Sequence, residues 1–165
     1  MKKLIAFIFC MTVIPAAILA GAAGYIYKTY FSPEPMEYEF LRGESEIHSI
    51  EYATVSFGED GSVNTSRVGF VEDTDGFVSD IKSLDCHKGI TLDSFRNLYD
   101  IKTLSGFVIN YNDGSFEVIT PYFCINSDLD IKEIKDILTA DVYGFEKDAI
   151  FDMLKKYAPS GVINT

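Results

Sequence analysis

Outside its apolar amino terminus, the chain carries few side chains suited to covalent or metal chemistry. Cys86 is followed directly by His87, and Cys124 and His48 stand far from that pair. Four such residues are the donor types of a zinc site, and a cysteine beside a histidine is the raw material of a nucleophile with its base. The spacing argues against both. Neighbouring residues rarely converge on one metal, and the intervals match none of the usual zinc patterns. A structural cysteine next to a surface histidine accounts for the pair more simply. Cys86 and Cys124 are instead the candidates for a disulfide, since an even pair in an oxidising compartment can close a loop, contributing ~3–4 kcal/mol in the chain-entropy picture. The alternative is two buried thiols packed as small hydrophobes.

Carboxylates are abundant. Asp73-x-Asp75 and Asp128-x-Asp130 have the look of cation ligands, but neither continues into a calcium loop with glycine at its sixth position and glutamate at its twelfth. Helix caps explain them better. With 25 acidic residues in the chain, no two can be singled out as a general acid and base. The G-x-S-x-G, H-E-x-x-H, C-x-x-C, G-x-G-x-x-G and P-loop patterns do not occur. The sequence therefore assigns no catalytic, cofactor-binding or metal-binding residue and no cofactor, and it leans away from an enzyme.

The elements that would position these residues begin with a conspicuous one. Lys2 and Lys3 precede 24 uncharged residues, Leu4 to Tyr27, and Lys28 closes the run. At about 1.5 Å per residue such a helix reaches ~36 Å, enough to cross a bilayer core of roughly 30 Å. The run predicts a single transmembrane helix over residues 1–28 with its amino terminus in the cytoplasm and the rest of the chain outside. The competing expectation is a signal cut after Ala22 and a secreted product. Tyr25 and Tyr27 beside Lys28 read as an interfacial belt and favour the retained anchor. All 25 acidic residues and 11 of the 14 basic ones follow Lys28, which gives the outer part a charge of −14. That excludes nucleic acid, whose binders need lysine and arginine to displace counterions.

Residues 29–46, with Pro33, Pro35 and five glutamates, read as an acidic spacer. Residues 47–165 then form one α+β domain, a small antiparallel sheet with helices packed on one face. Ile50–Phe57 and Ser66–Val71 are its first two strands, joined by a turn at Glu59-Asp60-Gly61-Ser62. Asp73-Thr74-Asp75-Gly76 offers N-cap oxygens before a helix carrying Phe77, Val78, Ile81 and Leu84 along one side. Thr91–Tyr99 holds a second. Asp113-Gly114 turns a hairpin in which Tyr111 faces Phe116 and Ile109 faces Val118, so that Phe107, Ile109, Tyr111, Phe116 and Val118 share a face. A helix with Ile131, Ile134, Ile137 and Leu138 follows, then one after Gly144 with Phe145, Ala149, Ile150, Met153, Leu154 and Tyr157.

The function this supports is a non-catalytic, membrane-tethered extracytoplasmic binding or accessory domain of bacterial character. Its partners are the membrane, through the amino-terminal helix, and another envelope protein, met through the sheet or the acidic surface. The alternatives are a small envelope hydrolase using carboxylates and a secreted inhibitor or immunity-type protein.

Overall fold

The structure, a computed structural model, describes residues 18–29, 31–57, 63–94, 96, 103–129, 136–137 and 140–158. Helix α1 covers 18–29 and is exposed throughout. The sheet is built from β1 (Glu34–Met36), β2 (Ile47–Phe57), β3 (Val63–Phe70), β4 (Cys86–Lys88), β5 (Thr103–Tyr111), β6 (Phe116–Ile119), β7 (Cys124–Asn126) and β8 (Tyr143–Phe145). Helices α2 (Thr74–Lys82) and α3 (Lys147–Tyr157) complete the described fold, which is α+β. The eight strands run in the order β1-β4-β8-β7-β6-β5-β2-β3, and every neighbouring pair is antiparallel.

Strand β2 shows why the sheet forms. Its alternation sends Ile50 and Tyr52 to one face and Ala53 and Val55 to the other, and all four are buried. Both faces of the sheet therefore need a cover. On the first, α2 contributes Phe77 and Ile81, and α3 contributes Ile150, Met153, Leu154 and Tyr157, packed on Phe107 and Ile109. The ring of Phe77 stands edge-on to Phe107 at 4.8 Å and to Tyr157 at 5.4 Å, the geometry aromatic quadrupoles prefer. The second face is covered by connecting segments: Ile90, Tyr122, Phe123, Ile137 and Val142 lie over Ala53, Val55, Val108 and Val118.

Helix α2 starts as its sequence demands. The Asp73 carboxylate accepts from the Gly76 amide at 3.0 Å, satisfying a donor the helix cannot, a contribution of about 1 kcal/mol. Asp80 on α2 receives Lys156 at 2.6 Å and the Tyr157 hydroxyl at 2.8 Å, which fastens the end of α3 to α2.

Three expectations change. Residues 29–46 are not a spacer: Glu34–Met36 pair with Cys86–Lys88, and Tyr38 and Phe40 are buried in the first core. Their aromatic rings, interleaved with glutamates, supply what the prolines and charges disguise. Phe145 belongs to β8 and not to the last helix, because Cys86 pairs with it across the sheet. The hairpin register is also one residue off the expected one. Ile109 pairs with Glu117, Val108 with Val118 and Asn110 with Phe116. The loop takes three residues, 112–114, because Gly114 adopts φ 85° and its amide bonds the Tyr111 carbonyl while the Tyr111 amide bonds Ser115. Phe116 and Val118 thus face away from Phe107, Ile109 and Tyr111, and Glu117 takes their place.

The turn at 59–62, most of the helix over 131–138 and the end of the Thr91–Tyr99 helix lie outside the described residues. At the start of the last, Thr91 Oγ1 accepts from the Ser94 amide at 3.0 Å, and residues 92–94 are helical.

Candidate functional site

A groove of about 830 Å³ opens where the segment after β1 passes the carboxyl end of α2. Pro33, Pro35, Met36 and Leu84 give it apolar walls, and Glu37, Asp85 and Glu146 line it with exposed carboxylates. Both members of the Cys86-His87 pair also border it.

The strand sets those two apart chemically. Successive strand residues point to opposite faces. Cys86 belongs to the first core, and burial pushes its thiol up to about 11, so it stays protonated at neutral pH. His87 is half-buried, with its ring against Gly144, where a Cβ would come within 2.9 Å of Cε1. The glycine is what lets the ring lie there. Nδ1 stands 3.2 Å from the Gly89 carbonyl oxygen. A carbonyl can only accept, so Nδ1 carries the proton and Nε2 the lone pair. Burial lowers the His87 pKa, against a weaker opposing pull from that carbonyl. The arrangement is a neutral imidazole beside an unactivated thiol, on opposite sides of one strand.

The other sequence candidates are dispersed. Cys124 lies on β7 and Cys86 on β4, with β8 between them. Two inter-strand spacings amount to about 10 Å, beyond the ~7 Å that a disulfide spans between Cα atoms. The candidate Cys86–Cys124 bridge is not formed: both are free and buried, and burial holds the Cys124 thiol well above its ordinary range. His48 is exposed on β2, at a bulge in the β2–β5 pairing and on the far side of the sheet from β4. Asp73 caps α2, and Asp128 pairs with Arg42 at 2.8 Å. Asp130 lies outside the described residues. Among the described residues no three His, Cys, Asp or Glu side chains converge to hold a metal ion.

Sequence reasoning missed Glu117. Its side chain is 1% exposed and lies inside the first core, where Tyr143 donates to Oε1 at 2.6 Å and Tyr38 and Tyr111 donate to Oε2. The Tyr111 oxygen accepts in turn from the Leu41 amide at 3.1 Å. Burial, followed by the Glu117 carboxyl, raises the pKa of both Tyr38 and Tyr111, which keeps the donors protonated. The network ties the segment after β1 to β5, β6 and β8 and so fixes one wall of the groove. No motif announces it.

The far edge of the sheet offers a different surface. From Asn64 to Val68 every residue of β3 is exposed, with Val68 at 45%, and Phe70 is 66% exposed. Arg67, the one charged residue of the strand, is occupied with Glu51 at 3.0 Å and Asn110 at 3.1 Å. The opposite edge, β1, has three residues with a proline in the middle, a blunted edge. Strand β3 has eight residues and no proline.

No protein-family model, curated protein or solved structure matches this chain.

Proposed function

We propose that the chain is a non-catalytic binding or accessory domain of the cell envelope, tethered by its amino-terminal helix with the amino terminus in the cytoplasm, and that it engages another envelope protein along β3. The observation that carries this reading is the state of that edge. Strand β3, eight residues long, ends the described sheet, and Val68 and Phe70 are exposed on it. Folded proteins shield long exposed edges with charge, proline or a covering element, and the one charged residue of β3 is an arginine that is already paired. An added strand satisfies the backbone and covers both side chains.

The tether rests on the uncharged run from Leu4 to Tyr27. Among the described residues no helix is long and apolar enough to cross a membrane, and residues 1–17, which hold most of that run, lie outside them. Phe31, two residues past the end of α1, packs on the second core.

Crosslinking the full-length protein in its native membrane and identifying the products by mass spectrometry tests the reading. One near-stoichiometric envelope protein is expected with the parent and is lost with Val68→Lys/Phe70→Lys. Recovery of the chain alone, or a partner retained by the double variant, overturns the assignment of β3.

A further inference from the structure

The groove beside β1 has a chemistry of its own. Glu37, Asp85 and Glu146 are exposed on its walls, and none has a cation or hydrogen-bond donor at its carboxylate among the described residues. Some carboxylates elsewhere are matched, Asp80 with Lys156, Asp113 and Asp128 with Arg42, and Asp141 with Lys88, while others such as Glu72 and Asp148 stand singly on the surface among the described residues. The one lysine at the groove, Lys82, is taken by Glu44. Ser83 and Leu84, at the carboxyl end of α2, also line the groove. Between the charges lie Pro33, Pro35, Met36 and Leu84, an apolar strip for aliphatic stems.

We propose that this groove binds an extended basic segment of a second protein, its lysine or arginine heads on Glu37, Asp85 and Glu146 and its aliphatic parts on Met36 and Leu84. Charge complementarity selects the occupant. Three unmatched carboxylates repel an acidic peptide or an anionic headgroup, whereas long basic side chains place a charged head and an apolar stem together. Pro33 follows the end of α1 by four residues. On the tethered reading above, on which this placement alone rests, the groove opens close to the membrane, and the matching segment is one that emerges from the same bilayer.

The test uses the full-length protein in phosphatidylcholine nanodiscs and a fluorescein-labelled decapeptide of alternating lysine and leucine, read by anisotropy against empty nanodiscs. The parent is expected to bind it and to ignore a glutamate–leucine decapeptide. Glu37→Gln/Asp85→Asn/Glu146→Gln should weaken binding about tenfold or more, while Glu72→Gln/Asp148→Asn/Asp152→Asn, which removes the same charge elsewhere, changes it less than about twofold. Met36→Lys, on an exposed position, should weaken it as well. Equal losses from the two triple variants would show attraction to net charge alone and overturn the groove, as would a parent that does not bind. Either failure leaves the β3 reading standing, since that edge is untouched by these substitutions.

Discussion

At Glu117 a single side chain satisfies three buried hydroxyls, so its removal is felt three times over. A buried donor left without an acceptor costs about 1–3 kcal/mol. Glu117→Leu should therefore lower the unfolding free energy by about 3 kcal/mol or more, and Tyr143→Phe, which leaves two donors in place, by about 1–2 kcal/mol. Urea denaturation measures both, and a leucine variant as stable as the parent would contradict the network. Asp113 gives a prediction in pH. Bonds from Ser115, then the Arg42 guanidinium, hold its carboxylate down at about 2. A group with a depressed folded-state pKa contributes stability above its unfolded value, near 3.9, and loses it as pH falls, so this contribution is complete above about pH 5 and lost progressively down to about pH 1. Its exposure keeps the effect small. A carboxyl NMR titration should place the Asp113 midpoint near 2 and move it upward in Arg42→Ala. An unmoved midpoint contradicts the clamp. A cap within Asp73-Thr74-Asp75-Gly76 was legible because short oxygen-bearing side chains before an apolar run have one economical use, and the structure assigns it to Asp73. Glu117 was not legible, because it sits between Phe116 and Val118, and alternation tells only that every second residue turns inward. Which one turns inward is decided by the loop.

That loop shows where reading at the level of elements succeeds and where it stops. Asp113-Gly114 marked a hairpin, and a hairpin is there. Whether it takes two residues or three depends on one torsion angle, and Gly114 at φ 85° makes it three. In a strand buried on both faces the apolar pattern cannot correct the error, since Val118 and Ile119 are equally suited to either side. The short strands are harder still. Glu34–Met36, Cys86–Lys88 and Tyr143–Phe145 have three residues each and exist only because each pairs with the next across the sheet. Helix α2 and helix α3, whose stripes span two turns or more, were legible. Two glycines rank the elements by tolerance. A Cβ at Gly106 would lie 2.5 Å from the Ile119 carbonyl oxygen in the centre of the sheet, where backbone cannot move aside. Gly114 has open space and is constrained only by its torsion. Gly106→Ala should cost about 2–3 kcal/mol and Gly114→Ala about 1–2 kcal/mol. Thermal unfolding of the two variants checks the order, and a more damaging change at Gly114 would contradict the β5–β6 contact.

Across the whole molecule the sheet has two unlike ends. One end is closed by the short, proline-containing β1 and flanked by the acidic groove, close in sequence to α1. The other is the long exposed edge of β3. A chain with charge −14 beyond Lys28 resists self-association, which leaves β3 to a different partner. The amino-terminal run, the acidity and the α+β class were legible because each is a property of composition or long-range pattern. The polarity of the sheet was not, because strand order depends on contacts between residues such as Cys86 and Phe145, nearly sixty positions apart. The decisive measurement places a photo-crosslinking amino acid at Val68 of the full-length protein in its native membrane, with Asp148 as the exposed control on α3. One envelope protein should be captured at Val68 and not at Asp148. Capture at Asp148 alone, or at neither position, would contradict docking along β3.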